Sequence, residues 1–292
     1  NTYLDTLPTF IIDSTQRIHT TFNQAIVSTG RLSSNKPNFQ NIPIKTDIGK
    51  EIRKAFIPKE NNHYIYSFDY SQIELRILTH FTKEEELLKA FKNNEDIHLR
   101  TAAIVFGINE DEVDYNKRQI AKTINYSILY GAGPFRISQE LKIPIKDASS
   151  IIKNYFNSYP KIKHYIDSTV EFGKEHGFVK TLYGRQKKVS NIYSSNKNVV
   201  EAEKRAMINM PIQGTASELI KIAMININKI LKEKDMKSKM ILQVHDELLF
   251  EVPKNEISII HDIVTSEMEN AIDFDVPIKV DSDYGDNWFE AH

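Results

Sequence analysis

Two aspartates stand at the ends of strand-like segments that are far apart in the chain. Aromatic side chains occupy every second position near the end of residues 63–69, which is the pattern of a β-strand, and Asp69 ends that run. Two short apolar runs within 240–252 flank Asp246 and predict a hairpin. The two aspartates are 177 residues apart in sequence (246 minus 69). If both serve one site, the strands that carry them must be neighbours in one sheet.

The residues between these segments have the pattern of a helical insertion. Residues 83–205 follow helical periodicity with glycine and proline as interruptions, and no flexible linker divides the chain. A strand and a turn are predicted within 20–32. After the insertion, one helix is predicted to end near Pro211, and an amphipathic helix is predicted over 216–232. The hairpin turn at 245–247 carries acidic residues in place of glycine, and such departures are expected at functional sites.

The two aspartates suit a metal-dependent phosphoryl transfer. That chemistry uses two metal ions about 3.5–4 Å apart, held by acidic ligands that converge from separate strands. Magnesium prefers oxygen ligands and retains some of its waters. Asp69 and Asp246 could supply the bridging carboxylates. The alternative for either residue alone is a cap or turn role, since short polar residues dominate turns.

A cationic helix face lies between the aspartates. Arg118, Lys122 and Tyr126 recur at intervals of four, which puts them on one side of a helix predicted over 116–130. The opposite, buried side is predicted to carry three isoleucines: Ile120, Ile124 and Ile128. Such a face can hold phosphates, with arginine as a fork and lysine as a point charge. A solvated basic helix face is the alternative, and repeated aromatic residues argue against it.

A second set of polar residues also recurs at intervals of four. Arg205, Asn209 and Gln213 could read minor-groove edges and sugars, where acceptors are alike for all base pairs. Proline at 211 is predicted to kink or end the helix before Gln213. Structural polar residues on a surface helix remain the alternative.

Composition excludes several classes of protein. The 292-residue chain is 40% hydrophobic with a net charge of −1, and it has no cysteine. Disulfides, cysteine-ligated zinc and iron–sulfur sites are therefore excluded. There is no long apolar run and no signal-peptide pattern, so we expect neither a membrane span nor secretion. A chain without an initiator methionine is expected to be a fragment or a processed product.

Three segments together resemble DNA polymerase family A, the bacterial DNA polymerase I family. Asp-Tyr-Ser-Gln-Ile-Glu-Leu-Arg at 69–76 is similar to motif A of that family. Arg-Gln-Ile-Ala-Lys-Thr-Ile-Asn-Tyr-Ser-Ile-Leu-Tyr-Gly at 118–131 is similar to motif B, and Gln-Val-His-Asp-Glu at 243–247 to motif C. The resemblance extends from the first residues to the ending at 287–292.

The resemblance implies an α+β fold with right-hand polymerase architecture. An antiparallel palm sheet would be built from 1–82 and 204–292, with helical fingers inserted at 83–203. The family's thumb and exonuclease domains would lie upstream and are absent from this chain. A monomer is expected, located in the cytoplasm at the bacterial nucleoid or in an organelle matrix.

The resemblance also assigns roles to single residues. Asp69, Asp246 and the Tyr70 carbonyl would bind two Mg²⁺ ions, for which Mn²⁺ can substitute. Glu247 would be a nearby catalytic carboxylate, and Lys122 a catalytic residue as well. The deoxynucleoside triphosphate would be bound by Gln72, Glu74, His98, Arg118, Lys122, Tyr126 and Tyr130. Primer-template DNA would be contacted by Arg31, Arg205, Asn209, Gln213 and His245.

Two of these roles concern selectivity, and a few residues depart from the family pattern. Glu74 would exclude a ribose 2′-hydroxyl, and Tyr130 would mark the templating-base site. Most members have Phe where this chain has Tyr126, and Tyr at that place implies weak discrimination against dideoxynucleotides. The remaining departures are Gln119 for arginine, Ser127 for glycine and Lys45 for arginine.

The resulting hypothesis is template-directed DNA synthesis with deoxynucleoside triphosphates as substrates. A single-subunit RNA polymerase is the alternative within enzymes, and Glu74 argues against it. A catalytically silent duplex-binding module is the alternative from another class. The presence of Asp69, Asp246, Arg118 and Lys122 argues against that module, because binding alone does not require the metal ligands.

Overall fold

The computed structural model describes residue 3 and residues 5–43 and 47–292, so Lys45 lies outside the described residues. Within them, the strands are β1 Ile11–Ile12, β2 Arg17–Ile18, β3 Thr21–Asn23, β4 Ser33–Asn35, β5 His63–Tyr70, β6 Phe178–Lys180, β7 Gln186–Lys188, β8 Lys239–Val244, β9 Glu247–Pro253 and β10 Val280–Gly285. The helices are α1 Asp47–Glu51, α2 Ile73–Thr82, α3 Glu85–Lys92, α4 Ile97–Phe106, α5 Tyr115–Leu129, α6 Pro134–Leu141, α7 Ile145–Ser158, α8 Pro160–His176, α9 Lys197–Glu233 and α10 Ile257–Glu269. The fold is α+β with antiparallel sheets, as predicted.

The chain divides into two compact units. Unit 1 takes the described residues within 1–71, 217–273 and 278–292, and unit 2 takes residues 72–216 and 274–277. This division does not test the palm and fingers bounds implied by the family resemblance, which remain predictions.

The centre of unit 1 is a four-stranded sheet in the order β10-β5-β9-β8. All of its neighbouring strands are antiparallel, and β5 pairs directly with β9. The expectation that the two aspartate-bearing segments are neighbours is therefore confirmed. Every residue of β9 is buried, which fits a central strand covered on both faces. One apolar cluster of this unit contains Phe39, Ile42, Ile65, Val244, Leu249, Trp288 and Ala291.

The hairpin between β8 and β9 is tighter than the sequence suggested. Val244 pairs with Glu247, so the turn consists of His245 and Asp246 alone. Glu247 is the first residue of β9 rather than a turn residue, because its neighbours Leu248 and Leu249 are buried and draw it into the sheet. Asp69 is the penultimate residue of β5, which ends one residue later than predicted.

Unit 2 is mainly helical, as predicted for 83–205. It contains α2–α8, and α4 and α5 each have a side-chain N-cap, from Asp96 and Asp114. The helical pattern is interrupted by a β6–β7 hairpin, with strand–strand pairs from Phe178 to Lys188. This short hairpin was not predicted; Val179 is buried in an apolar cluster with Ile192, Met207 and Met210, which holds it in place.

The helix around Pro211 is continuous, so the predicted division into two helices is wrong. Helix α9 runs from Lys197 to Glu233 with Pro211 inside it. A proline in a helix interior costs about 3 kcal/mol. Met210 and Ile212 are each 1% exposed, and burial of such side chains offsets a cost of that size. None of the helices in the described part of the chain is long and apolar enough to span a bilayer.

Candidate active site

Four carboxylates gather at one end of the sheet of unit 1. Asp69 on β5 is the register partner of Glu247 on β9 and of Asp281 on β10. The backbone N–H of Tyr70 donates to the carbonyl of Asp246 at 3.2 Å, which ties the turn to the end of β5. The sequence-predicted residues Asp69, Asp246 and Glu247 are therefore close together in this unit.

The electrostatics of this cluster are those of an anion-rich site. Burial raises the pKa of Asp69 to about 7, and repulsion from Asp246, Glu247 and Asp281 adds to the rise. Asp246 has a distant ion pair with Arg31, at 3.9 Å between Oδ1 and Nη2. The carboxylates therefore repel one another, and a bound cation would relieve their repulsion.

The oxygen donors at this end of the sheet are of the kind that magnesium prefers. No group of three or more metal-ligating side chains is arranged around one point in the described residues. Magnesium is commonly held by one or two carboxylates together with waters and substrate phosphates. Asp69, Asp246 and the Tyr70 carbonyl match that pattern. The Tyr70 side chain is buried and donates its hydroxyl to the Met268 carbonyl at 2.8 Å, which fixes the residue in place.

Glu247 is held in place by two side-chain hydrogen bonds. Its Oε1 accepts hydrogen bonds from Ser67 Oγ at 2.7 Å and from Trp288 Nε1 at 2.9 Å. The guanidinium of the buried Arg53 lies 4.1 Å from the centre of the Trp288 ring, and burial lowers the pKa of Arg53. Attraction to Glu247 and Asp69 counteracts that fall. Arg53 and Trp288 thus support the cluster from inside the unit.

Asp281 and Arg53 are the functional neighbours that sequence reasoning missed. Asp281 lies in a Val-Asp-Ser-Asp segment with no motif, and only its register with Asp69 reveals it. Arg53 belongs to a short 3₁₀ turn, and no spacing rule connects that turn to a sheet end. Strand pairing would have revealed Asp281 and tertiary packing Arg53, and the sequence alone supplies neither.

The turn beside Asp246 is strained. His245 has a φ of 55°, in the left-handed region that costs a non-glycine residue about 1–3 kcal/mol. The side chain is exposed, and Arg31 is 30% exposed. Both residues, predicted to contact DNA, therefore present polar groups to solvent next to the carboxylates of unit 1.

In unit 2, helix α5 has the two faces predicted. Ile124 and Ile128 are buried and Ile120 is half-buried, while Lys122 is exposed and both Arg118 and Tyr126 are half-buried. Arg118 Nε donates to Asp96 Oδ2 at 2.6 Å. One cation of this face is thus held by an internal carboxylate, and the other presents its charge to solvent.

His98 is brought next to this face by helix α4. Asp96 Oδ1 accepts from the backbone N–H groups of His98 and Leu99, at 2.9 and 3.1 Å, and so starts the helix. The imidazole centre lies 6.0 Å from the ring of Tyr126. Burial lowers the pKa of His98 to about 4; Asp96 opposes the fall, and Lys122 and Arg118 add to it. His98 is therefore uncharged at neutral pH.

Other predicted nucleotide-binding residues lie at the ends of helices in unit 2. Gln72 precedes α2 with a φ of 49°, and Glu74 is buried in the first turn of that helix. Tyr130 ends α5, with its ring 6.4 Å from that of Tyr126. The next residue, Gly131, has a φ of 70°, and a Cβ there would lie 3.2 Å from a side-chain carbon of Arg205. Glycine thus permits this close packing.

The polar set of α9 lies on one face, as its spacing predicted. Arg205, Asn209 and Gln213 are half-buried, while the neighbours Met207, Ile208, Met210 and Ile212 are buried. Asn209 Oδ1 is buried without a hydrogen-bond partner in the described residues. Because helix α9 continues past Pro211, Gln213 stays in line with the other two.

The comparisons with known proteins agree over nearly the whole chain. The model of DNA polymerase family A matches residues 1–290. DNA polymerase I of Caldicellulosiruptor bescii is 48% identical over 290 residues, which are 99% of this chain and 34% of that protein. DNA polymerase I of Bacillus subtilis is 44% identical over 291 residues, which are 100% of this chain and 33% of that protein. The chain spans about a third of the length of these curated relatives.

A solved structure extends the similarity to three dimensions. The POL domain of Pol1 from M. smegmatis, in complex with a DNA primer-template and dNTP, superposes with a TM-score of 0.94 at 40% sequence identity. The match covers 98% of this chain and 50% of that one. Matching sequence over residues 1–290, relatives above 40% identity and the same fold together lead to one conclusion: the chain belongs to DNA polymerase family A.

Proposed function

We propose that this chain carries the catalytic part of a DNA-directed DNA polymerase. The primer 3′-hydroxyl attacks the α-phosphorus of a deoxynucleoside triphosphate, the bond to the bridging oxygen breaks, and pyrophosphate leaves. The observation that carries the proposal is the anionic cluster around Asp69: burial raises the pKa of Asp69 to about 7, and repulsion from Asp246, Glu247 and Asp281 adds to the rise. A site that must bind cations before it can work has this character.

Asp69, Asp246 and the Tyr70 carbonyl are the proposed ligands of two Mg²⁺ ions, with Mn²⁺ as a substitute. Bound magnesium would supply charge stabilisation at the phosphoryl oxygens and a lower pKa for the attacking hydroxyl. Glu247 keeps its fixed place through Ser67 and Trp288, and its negative charge adds to the attraction for the cations. The carboxylates of Asp69 and Asp246 remain the residues on which activity depends.

Unit 2 supplies the proposed nucleotide-binding groups. Lys122 provides an exposed point charge and Arg118 a guanidinium oriented by Asp96, and both would bind phosphate oxygens. His98 would add an uncharged donor. Glu74 would exclude a ribose 2′-hydroxyl, and Tyr126 would accommodate a sugar without its 3′-hydroxyl. Gln72 and Tyr130 complete the proposed nucleotide site.

The proposed partner is primer-template DNA. The relevant side chains are Arg31, Arg205, Asn209, Gln213 and His245. The relative from M. smegmatis is described in complex with a primer-template and dNTP, and its likeness to this chain supports the proposal. The same proposal includes a palm built from residues 1–82 and 204–292 and fingers built from residues 83–203. It also includes thumb and exonuclease domains upstream. The protein is proposed to be a monomer in the bacterial cytoplasm or an organelle matrix.

Single-nucleotide primer extension tests this function. The natural chain is compared with Asp246→Ala and with the matched control Asp262→Ala, an exposed carboxylate of unit 1. We expect template-matched dNTP addition that Asp246→Ala abolishes and Asp262→Ala retains. Equal use of rNTP would favour an RNA polymerase instead. DNA binding without addition, persisting when the upstream region is restored, would favour a silent duplex-binding module.

A further inference from the structure

A buried polar cluster joins helices α4 and α5 behind the cationic face. It consists of His98 and Thr101 on α4 and Asn125 on α5, which are 4%, 0% and 1% exposed. Asn125 Nδ2 lies 3.0 Å from His98 Nδ1 and 3.1 Å from Thr101 Oγ1. The Thr101 hydroxyl lies 3.2 Å from Asn125 Oδ1, to which it donates. Buried polar groups of this kind are expected to be fully hydrogen-bonded, because an unpaired one costs about 1–3 kcal/mol.

The contact with Asn125 determines where the proton of His98 resides. An amide nitrogen can only donate, so His98 Nδ1 must accept from it. In a neutral imidazole the proton is then on Nε2, at the opposite side of the ring. Asn125 therefore leaves His98 with a hydrogen-bond donor at Nε2.

Burial, together with two neighbouring cations, keeps the His98 ring neutral. Asp96 is at the start of the same helix, and Lys122 and Arg118 belong to α5, as does the titratable Tyr126. Burial and the two cations outweigh the attraction of Asp96, so the pKa of His98 falls to about 4. Protonation is thus confined to acidic conditions, and the tautomer selected by Asn125 persists through the neutral range.

We propose that Asn125 is a positioning residue that holds His98 as the Nε2–H tautomer, so that an uncharged imidazole donates a hydrogen bond to the triphosphate of the incoming nucleotide. This inference rests on the proposed function, since it names the substrate group that His98 meets. Two neighbouring cations bind the phosphates by charge, and a neutral donor adds a directed hydrogen bond without further repulsion.

The test exchanges the donor for an acceptor of nearly the same shape. In Asn125→Asp, the carboxylate accepts from Nδ1 and raises the pKa of His98, so the neutral ring loses its donor at Nε2. When the imidazole is protonated at lower pH, Nε2 donates again. At pH 8.5 we expect the KM for dNTP of Asn125→Asp to be about ten times that of the natural chain, because one charge-assisted hydrogen bond is lost. The ratio of the two KM values should fall towards one as pH decreases. Titration of the nucleotide affects both proteins equally and therefore cancels in this ratio.

A measurement independent of activity reads the tautomer directly. Long-range proton–nitrogen correlation spectra of chain labelled with ¹⁵N-histidine distinguish protonated from unprotonated ring nitrogens, and the His98 signals are those that disappear in His98→Gln. The natural chain should show a bare Nδ1 and a protonated Nε2, and Asn125→Asp the reverse at high pH. A protonated Nδ1 in the natural chain would overturn the inference even if the chain polymerises DNA. The spectrum is also informative if polymerase activity is absent.

Conservative replacements keep the proposal testable if Asn125→Asp is poorly folded. His98→Gln carries an amide nitrogen that can reach the position of Nε2, whereas His98→Asn is shorter and reaches only the position of Nδ1. We expect His98→Gln to keep a dNTP KM within about threefold of the natural value and His98→Asn to raise it about tenfold. Equal KM values for the two variants, or a KM ratio for Asn125→Asp that does not change with pH, would show that the Nε2 donor is not used.

Discussion

The carboxylate cluster of unit 1 and the cationic face of unit 2 handle charge in opposite ways. Asp69 is largely buried among like charges, and its pKa is raised to about 7. On α5, by contrast, Lys122 is exposed and Arg118 is paired with Asp96 at 2.6 Å. The cluster on the strands therefore holds like charges close together, whereas on the helix face one cation is paired and the other is exposed to solvent. The proposed metal site carries this repulsion as a cost, and the proposed phosphate-binding face does not.

The largest effect is expected where the cluster loses a proposed metal ligand. Asp246→Asn keeps the shape of the turn but removes one negative charge. Loss of several kcal/mol of charge stabilisation should lower the polymerisation rate by at least about 10³-fold. Single-turnover primer extension with saturating dNTP measures this rate. Asp262→Asn serves as the control. A similar loss of rate in both variants would mean that activity does not depend specifically on the carboxylate cluster.

A smaller and unequal effect is expected on the helix face. Lys122→Ala removes an exposed charge and should lower kcat/KM for dNTP about 100-fold. Arg118→Ala should lower it about tenfold, since Asp96 already neutralises part of that charge. Steady-state kinetics at fixed primer-template compare the two. A larger loss for Arg118→Ala would mean that the fork geometry of its guanidinium outweighs the neutralisation by Asp96.

The candidate site was predictable where its residues are encoded locally. Asp69 and Asp246 follow strand-like runs, and the α5 face follows from spacing by four. Asp281 and Arg53 were missed because strand pairing and tertiary packing bring them to the cluster from other parts of the chain. Asn125 was likewise missed: its amide is meaningful only beside His98 of another helix.

The fold was predictable to a similar degree. The β5 strand, the β8–β9 hairpin and α5 follow from periodicity, because each has one clear buried face or run. The error at Pro211 has a physical cause: local propensity favours a break, and burial of the adjacent side chains overrides it. The β6–β7 hairpin is only three residues long on each side, which is too short for a period to be recognised.

Sugar selectivity on the α5 face gives the next smaller effect. Tyr126→Phe removes the phenol hydroxyl that is proposed to replace the missing 3′-hydroxyl of a dideoxynucleotide. Loss of one hydrogen bond predicts at least about tenfold stronger discrimination against ddNTP, with dNTP use nearly unchanged. Competition between dNTP and ddNTP in single-nucleotide extension measures the ratio. Comparable ddNTP use by the natural chain and Tyr126→Phe would show that the phenol hydroxyl does not replace the missing 3′-hydroxyl.

The last prediction concerns stability and needs no substrate. Asp69 has a pKa of about 7 in the folded chain, against an ordinary value of 3.8. Between about pH 4 and pH 7 the folded state therefore retains a proton that the unfolded state has lost, so metal-free stability must fall as pH rises through that window. The contribution has a limiting slope of about 1.4 kcal/mol per pH unit. Asp69→Asn should remove it, which denaturant unfolding in EDTA at several pH values would measure. Asp262→Asn should keep the natural slope. If Asp69→Asn keeps the pH dependence of the free energy of unfolding of the natural chain, the repulsion at Asp69 is relieved elsewhere in unit 1. The contrast with the helix face would then be weaker than the metal-free geometry indicates.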